Sequence, residues 1–197
     1  MANVELTDEE TALISNAGFL LTKNTVIQKL QQAFGSIAAT YRKITQNGNP
    51  AWQSYCAVQP KISKGEQFQG LPYLMLDYPR AFSRTHTLAV RSFFWWGNYF
   101  SISLLLTGKP QQSLSGRLLE NPVLGDWYLD TAPTPWSHGW EMDPGRQLSA
   151  ISGGNGFTQK DFFKISKQVP LSQWQGMEPF FIKNFEQLWT AINCPGV

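Results

Sequence analysis

Asp77, Arg80, Arg84, His86 and Arg91 crowd one short stretch of the chain, and residues of these types can bind an anion. Arg91 is the sharpest of them because it sits inside the apolar run from Leu88 to Leu106. A guanidinium does not give up its charge, so once buried it must meet an acid, several carbonyls or an anionic ligand. Asp77 is the nearest acid in sequence, and two readings follow. In one, an Arg91–Asp77 pair fixes strand register; in the other, Arg91 faces a ligand. The second reading puts a carboxylate or phosphate head group near Arg91 and the Asp77–His86 turn, with Trp95, Trp96 and Tyr99 as apolar walls.

Other chemistry has weaker support. His86 and His138 are far apart, and Cys56 and Cys194 form neither a C-x-x-C pair nor a histidine-spaced set, so no metal site is expected. No G-x-S-x-G elbow or phosphate-cradling G-x-x-x-x-G-K-[ST] loop occurs, and Gly153-Gly154-Asn155-Gly156 reads as a turn. Cys56 becomes a nucleophile only if a histidine approaches it. Trp127, Trp136, His138, Trp140, Glu141 and Asp143 form a second aromatic and acidic cluster, which reads as stacking groups if exposed and as core pegs if not. No catalytic residue is identified and no cofactor is expected. The function expected is a binding module for a small anionic ligand or a protein partner. The alternative is a small hydrolase or transferase using His86 or His138 with a nearby carboxylate.

Charged residues make up 15% of the 197 and aromatics 14%, with eight tryptophans, a composition for a packed core and against disorder. The net charge of +2 hides a gradient. Residues 1–20 carry four acids and no base, whereas residues 23–109 carry ten bases against Glu66 and Asp77. An excess spread over so long a segment reads as a solvated surface and is too diffuse to predict nucleic-acid binding. The acidic N-terminus lacks the features of a secretory signal, and Arg91, Gly97 and Asn98 interrupt the run that is closest to a membrane span. With two cysteines and no disulfide framework, the expected location is cytoplasmic.

These residues need elements to hold them, and the pattern predicts a single α+β domain over 1–197. Thr7 with Glu10 is a capping box for a short helix, and Asn24-Thr25 starts a second helix with Ile27, Leu30, Phe34, Ile37, Tyr41 and Ile44 on one stripe. Residues 48–70 read as a long connection and 71–78 as a strand. Gly97-Asn98 between two β-rich runs predicts a central antiparallel hairpin, 85–96 with 99–107, in a two-residue register. That register sets Trp96 against Tyr99 and Arg91 against Leu104, among Phe93 and Ile102. A helix from Ser113 to Leu119, strands at 126–130 and 161–169, and a last helix at 170–192 with a kink at Pro179 complete the list. N- and C-terminal helices then pack the antiparallel sheet.

The segments Lys64-Gly65-Glu66-Gln67-Phe68-Gln69-Gly70-Leu71-Pro72-Tyr73 and Phe94-Trp95-Trp96-Gly97-Asn98-Tyr99-Phe100 resemble stretches of a bacterial protein family of similar length that has no assigned activity. The resemblance spans about residues 61–108. It implies a bacterial cytoplasmic domain and carries no functional residue across.

Overall fold

The computed structural model describes residues 4–131, 133–136, 145–151 and 161–194. Thr7 opens α1 (Asp8–Ile14) through the expected capping box: its hydroxyl accepts from Glu10 N at 3.2 Å, and its own N–H donates to Glu10 Oε2 at 2.8 Å. The next helix starts earlier than the Asn24-Thr25 signal. Asn16 accepts from Phe19 N at 3.1 Å and caps α2 (Ala17–Thr45), which runs through Gly18 and Asn24 without a break. Its stripe of Ile27, Leu30, Phe34, Ile37 and Tyr41 is buried as the 3–4 spacing requires.

After α3 (Pro50–Gln53) and a single 3-10 turn at Ser54–Cys56, the segment expected to be connection contains a strand, β1 (Lys61–Phe68). Gln69 and Gly70, at φ 50° and 78°, form the tight turn that folds it onto β2 (Leu71–Phe82). Gly65 is required there, because a Cβ would lie 2.5 Å from the Tyr73 ring on the opposite strand. β3 (Thr87–Trp95), β4 (Tyr99–Thr107), β5 (Tyr128–Leu129), β6 (Arg146–Gln147) and β7 (Phe163–Pro170) complete a seven-stranded antiparallel sheet in the order β1-β2-β3-β4-β7-β5-β6. The central hairpin exists, but its register is one residue away from the expected one. Trp95, not Trp96, is the last paired residue before the turn, Asn98 N bonds Trp95 O at 3.1 Å, and Gly97 takes φ 75° at the third turn position. Arg91 therefore faces Ser103, and Phe94 faces Phe100.

That shift divides the sheet into two unlike faces. On one, Leu74, Leu76, Val90, Phe94, Phe100, Ile102, Leu104, Phe163 and Ile165 join the main core beneath α2, α4 (Gly108–Leu119) and α5 (Met177–Asn193). Tyr41 stacks on Phe185 with ring centroids 3.7 Å apart, and its hydroxyl bonds Ser92 Oγ at 2.9 Å and Phe181 O at 3.2 Å, so the largest polar atom at this interface is satisfied. α5 begins after a 3-10 stretch at Leu171–Gly176, which puts Pro179 in its first turn, where a missing N–H is tolerated and no kink follows. α4 starts at Gly108 rather than Ser113. The architecture is α+β, with the N- and C-terminal helices packed on the sheet.

Candidate functional site

The face opposite the helices carries the residues whose types first suggested a site. Its aromatic half consists of Phe93, Trp95 and Tyr99 with Phe68, Leu71, Tyr73 and Met75 around them, and the Phe68–Trp95 centroids are 5.0 Å apart. Its charged half starts one step further along β3. Arg91 Nε donates to Asp77 Oδ1 at 2.7 Å and Nη2 donates to Asp77 Oδ2 at 3.0 Å, a two-bonded pair of a half-buried guanidinium and a buried carboxylate. Two strands away, Lys164 Nζ bonds Asp130 Oδ2 at 2.7 Å, with the Lys164 side chain only 4% exposed. Pairing explains the placement: Asp77 sits across from Arg91 and Leu105 across from Lys164, while Asp130 is held by its N–H to Lys164 O at 2.9 Å.

The four charges cancel, and the space between them is small. A cavity of about 10 Å³ is lined by Asp77, Arg91, Ser103 and Lys164 and roofed by Phe82 and Trp136, whose ring centroids are 5.8 Å apart. It holds about one water-sized group. Burial pushes the Lys164 ammonium below its ordinary value; Asp130 opposes that shift and Arg91 adds to it. The Arg91–Asp77 pair considered from sequence is present, and Arg91 stands among Ser103, Asp77 and Ala89 rather than among Ile102 and Leu104.

A larger opening lies on the other side of the sheet, where α2 ends. The alternation that sends Leu74 and Leu76 of β2 to the helix side sends Tyr78 there too, and the Tyr78 hydroxyl meets Thr45 Oγ1 at 2.8 Å. Between the last turn of α2 and residues 53–59 is a cleft of about 300 Å³ lined by Arg42, Thr45, Gln46, Gln53, Cys56, Gln59 and Tyr78. That is the lower end of the size range of small-molecule sites. Gln53 Nε2 is committed to the carbonyls of Gln46 and Gly48, both at 3.0 Å, which fixes that wall. Arg42 is exposed, and its guanidinium has no hydrogen-bond or ion-pair partner among the described residues. Burial pushes the Cys56 thiol up to about 12, against a weaker opposing hydrogen bond with Thr45, a shift that disfavours the thiolate.

The expected site residues therefore scatter. Asp77 and Arg91 meet; Trp95 and Tyr99 lie on the same face, with Trp95 roughly 13 Å further along β3 at about 3.3 Å per residue. Trp96 packs on the main core, its ring edge-on to Phe94 at 6.1 Å, and cannot wall that face. Arg80 Nε bonds Gln59 O at 2.6 Å beside the cleft, and Arg84 is exposed in the β2–β3 turn. His86 meets Thr85 Oγ1 at 3.1 Å and the edge of Tyr55, and no described carboxylate bonds it. His138, Trp140, Glu141, Asp143 and Gly153–Gly156 lie outside the described residues. Trp127 is wholly buried, a core peg. Sequence reasoning missed Arg42, Tyr78, Asp130 and Lys164. The signal for Lys164 was present, a cation between Phe163 and Ile165, and it is the same signal that singled out Arg91. Among the described residues no cluster of metal-ligating side chains occurs, and no helix is long and apolar enough to cross a membrane. No family model, curated protein or solved structure matches the chain.

Proposed function

We propose that the protein is a binding module for a small polar ligand with one anionic group, such as a carboxylate, and that the cleft at the end of α2 receives it. The observation that carries this reading is Arg42, a permanent cation without a protein partner among the described residues, at an opening of about 300 Å³. The end of α2 opposes an anion with about half an elementary charge, but a whole guanidinium charge, with Arg80 close by at Gln59, outweighs it. Gln46 and Gln59 supply neutral hydrogen-bonding groups for the rest of the ligand. Arg91 supports the reading less well, because Asp77 neutralises it and the cavity beside it admits about one water.

Thermal shift with acetate, small dicarboxylates and inorganic phosphate, together with native mass spectrometry of the purified chain, tests the reading. A ligand at 100 times its Kd adds about 2.7 kcal/mol to stability. Stabilisation that vanishes in Arg42→Gln and persists in an Arg91→Met/Asp77→Leu double variant supports the cleft. The reverse pattern moves the site to Arg91, and no stabilisation by any anion removes the anion reading.

A further inference from the structure

The first helical turns of this chain have no cover. Of the large apolar side chains exposed among the described residues, seven fall within residues 4–21, and no residue of α1 is buried. In α2 full burial begins at Ile27, Val26 already rests on the core and Lys23 reaches Glu66 on β1, so residues 17–25 continue the helix for about 14 Å past the core. Phe19, Leu20 and Leu21 are consecutive, which points them in three directions around the axis, and they are 46%, 54% and 66% exposed. At roughly 100 Å² apiece the seven side chains offer on the order of 700 Å², beyond the usual patch on a monomer and close to the ~800 Å² that each partner gives to a standard interface.

We propose that this arm, residues 4–26, pairs with the same arm of a second copy of the chain in a twofold, antiparallel contact. Charge selects that occupant. The far end of the arm carries Asp8, Glu9 and Glu10; at the near end Lys23 is already paired with Glu66 of its own chain, and just past the arm Lys29 has no ion-pair partner among the described residues and is the cation left to meet those acids. Antiparallel pairing brings the acidic end of each copy to the basic end of the other and sets Leu13 and Ile14 against Leu20 and Leu21. The surface is then complementary to itself, as a twofold contact requires. An anionic membrane is a poor occupant, because interfacial helices are rich in Lys and Arg on their polar face and this arm begins with acids.

Sedimentation of the whole chain over a concentration series reads the outcome. A dimer is expected whose Kd rises with salt. Ile14→Glu/Leu21→Glu should give a monomer with an unchanged melting temperature once dimer linkage is allowed for, since neither side chain enters the core. Glu9→Lys/Glu10→Lys and Lys29→Glu should each weaken the dimer by about tenfold, and joining them in one chain should restore it. A monomer at every concentration, a dimer that survives Ile14→Glu/Leu21→Glu, or a monomeric chain whose arm binds neutral phosphatidylcholine vesicles would each overturn the proposal.

Discussion

Arg91 and Arg42 come from the same basic stretch of the chain, residues 23–109, and serve opposite faces of the sheet. Arg91 is locked by two bonds to Asp77 on a face that the sheet itself buries; Arg42 stands at the mouth of a cleft with no acid to answer it among the described residues. The arginine that looks most anomalous in sequence is the one the fold satisfies. An exposed arginine near a helix end looks ordinary, yet it is the one left with charge to offer. Anomaly in sequence marks a cation that needs a partner, whereas function needs a cation that still lacks one.

The difference can be broken most forcefully at Asp77. Asp77→Leu removes the carboxylate that neutralises a guanidinium unable to lose its charge and should destabilise the protein by about 3–5 kcal/mol, measured by urea unfolding. Asp77→Leu/Arg91→Met removes both charges and should recover most of that loss. If the double variant is as unstable as the single one, the pair is not what matters at this place. Asp130→Leu should cost less, about 1–3 kcal/mol, because the ammonium it strands can release its proton. The folded Lys164 value lies below the ordinary 10.5, so the unfolded chain binds more protons in that window. Its contribution to stability therefore rises with pH as 10.5 is approached from below, and the rise should widen in Asp130→Leu, where the attraction that opposes the shift is gone. A flat pH profile in that variant would count against a buried ammonium.

How much of this was legible follows from the same residues. The capping box at Thr7 and the stripe of α2 were readable because each rests on contacts three or four residues apart. The register of the central hairpin was not, because Gly97-Asn98 fits a two-residue loop as well as the loop of Trp96, Gly97 and Asn98 that forms. With period-2 strands a single slip exchanges faces: it moved Ser101, Ser103 and Leu105 beside Arg91 and took Ile102 and Leu104 to the core. β1 was hidden because its alternation is weak and Gly65 interrupts it, although Gln69-Gly70 was a turn signal. The Asp130–Lys164 pair and the cleft both depend on contacts between distant segments, and no local pattern encodes those.

On the cleft side, Cys56 gives an intermediate effect that is read as a shift in pH. Its folded value, about 12, lies above the unfolded 9.0, so the stability it contributes is complete below pH 9 and is lost as pH rises toward 12. Cys56→Ala should move the midpoint of alkaline unfolding upward, while the loss due to Tyr41, whose hydroxyl burial also pushes up, remains. Cys194 is exposed and serves as an internal reference: at about pH 8, alkylation should reach Cys194 well before Cys56. Equal rates would mean that the cleft leaves the Cys56 thiol open to water.

The smallest effect on stability is the one that separates the two arginines. Arg42→Met removes a charge near the C-terminal end of α2, where a cation interacts favourably with the helix dipole by about 0.3–1 kcal/mol at most. Lys43 remains in the same turn and keeps part of that interaction, so urea unfolding should place Arg42→Met within about 0.5 kcal/mol of the parent. Arg91→Met leaves Asp77 buried without its partner and belongs with the strongly destabilised variants. A cost for Arg42→Met as large as that for Arg91→Met would mean that Arg42 is held by the fold after all, and the case for a ligand at the end of α2 would go with it.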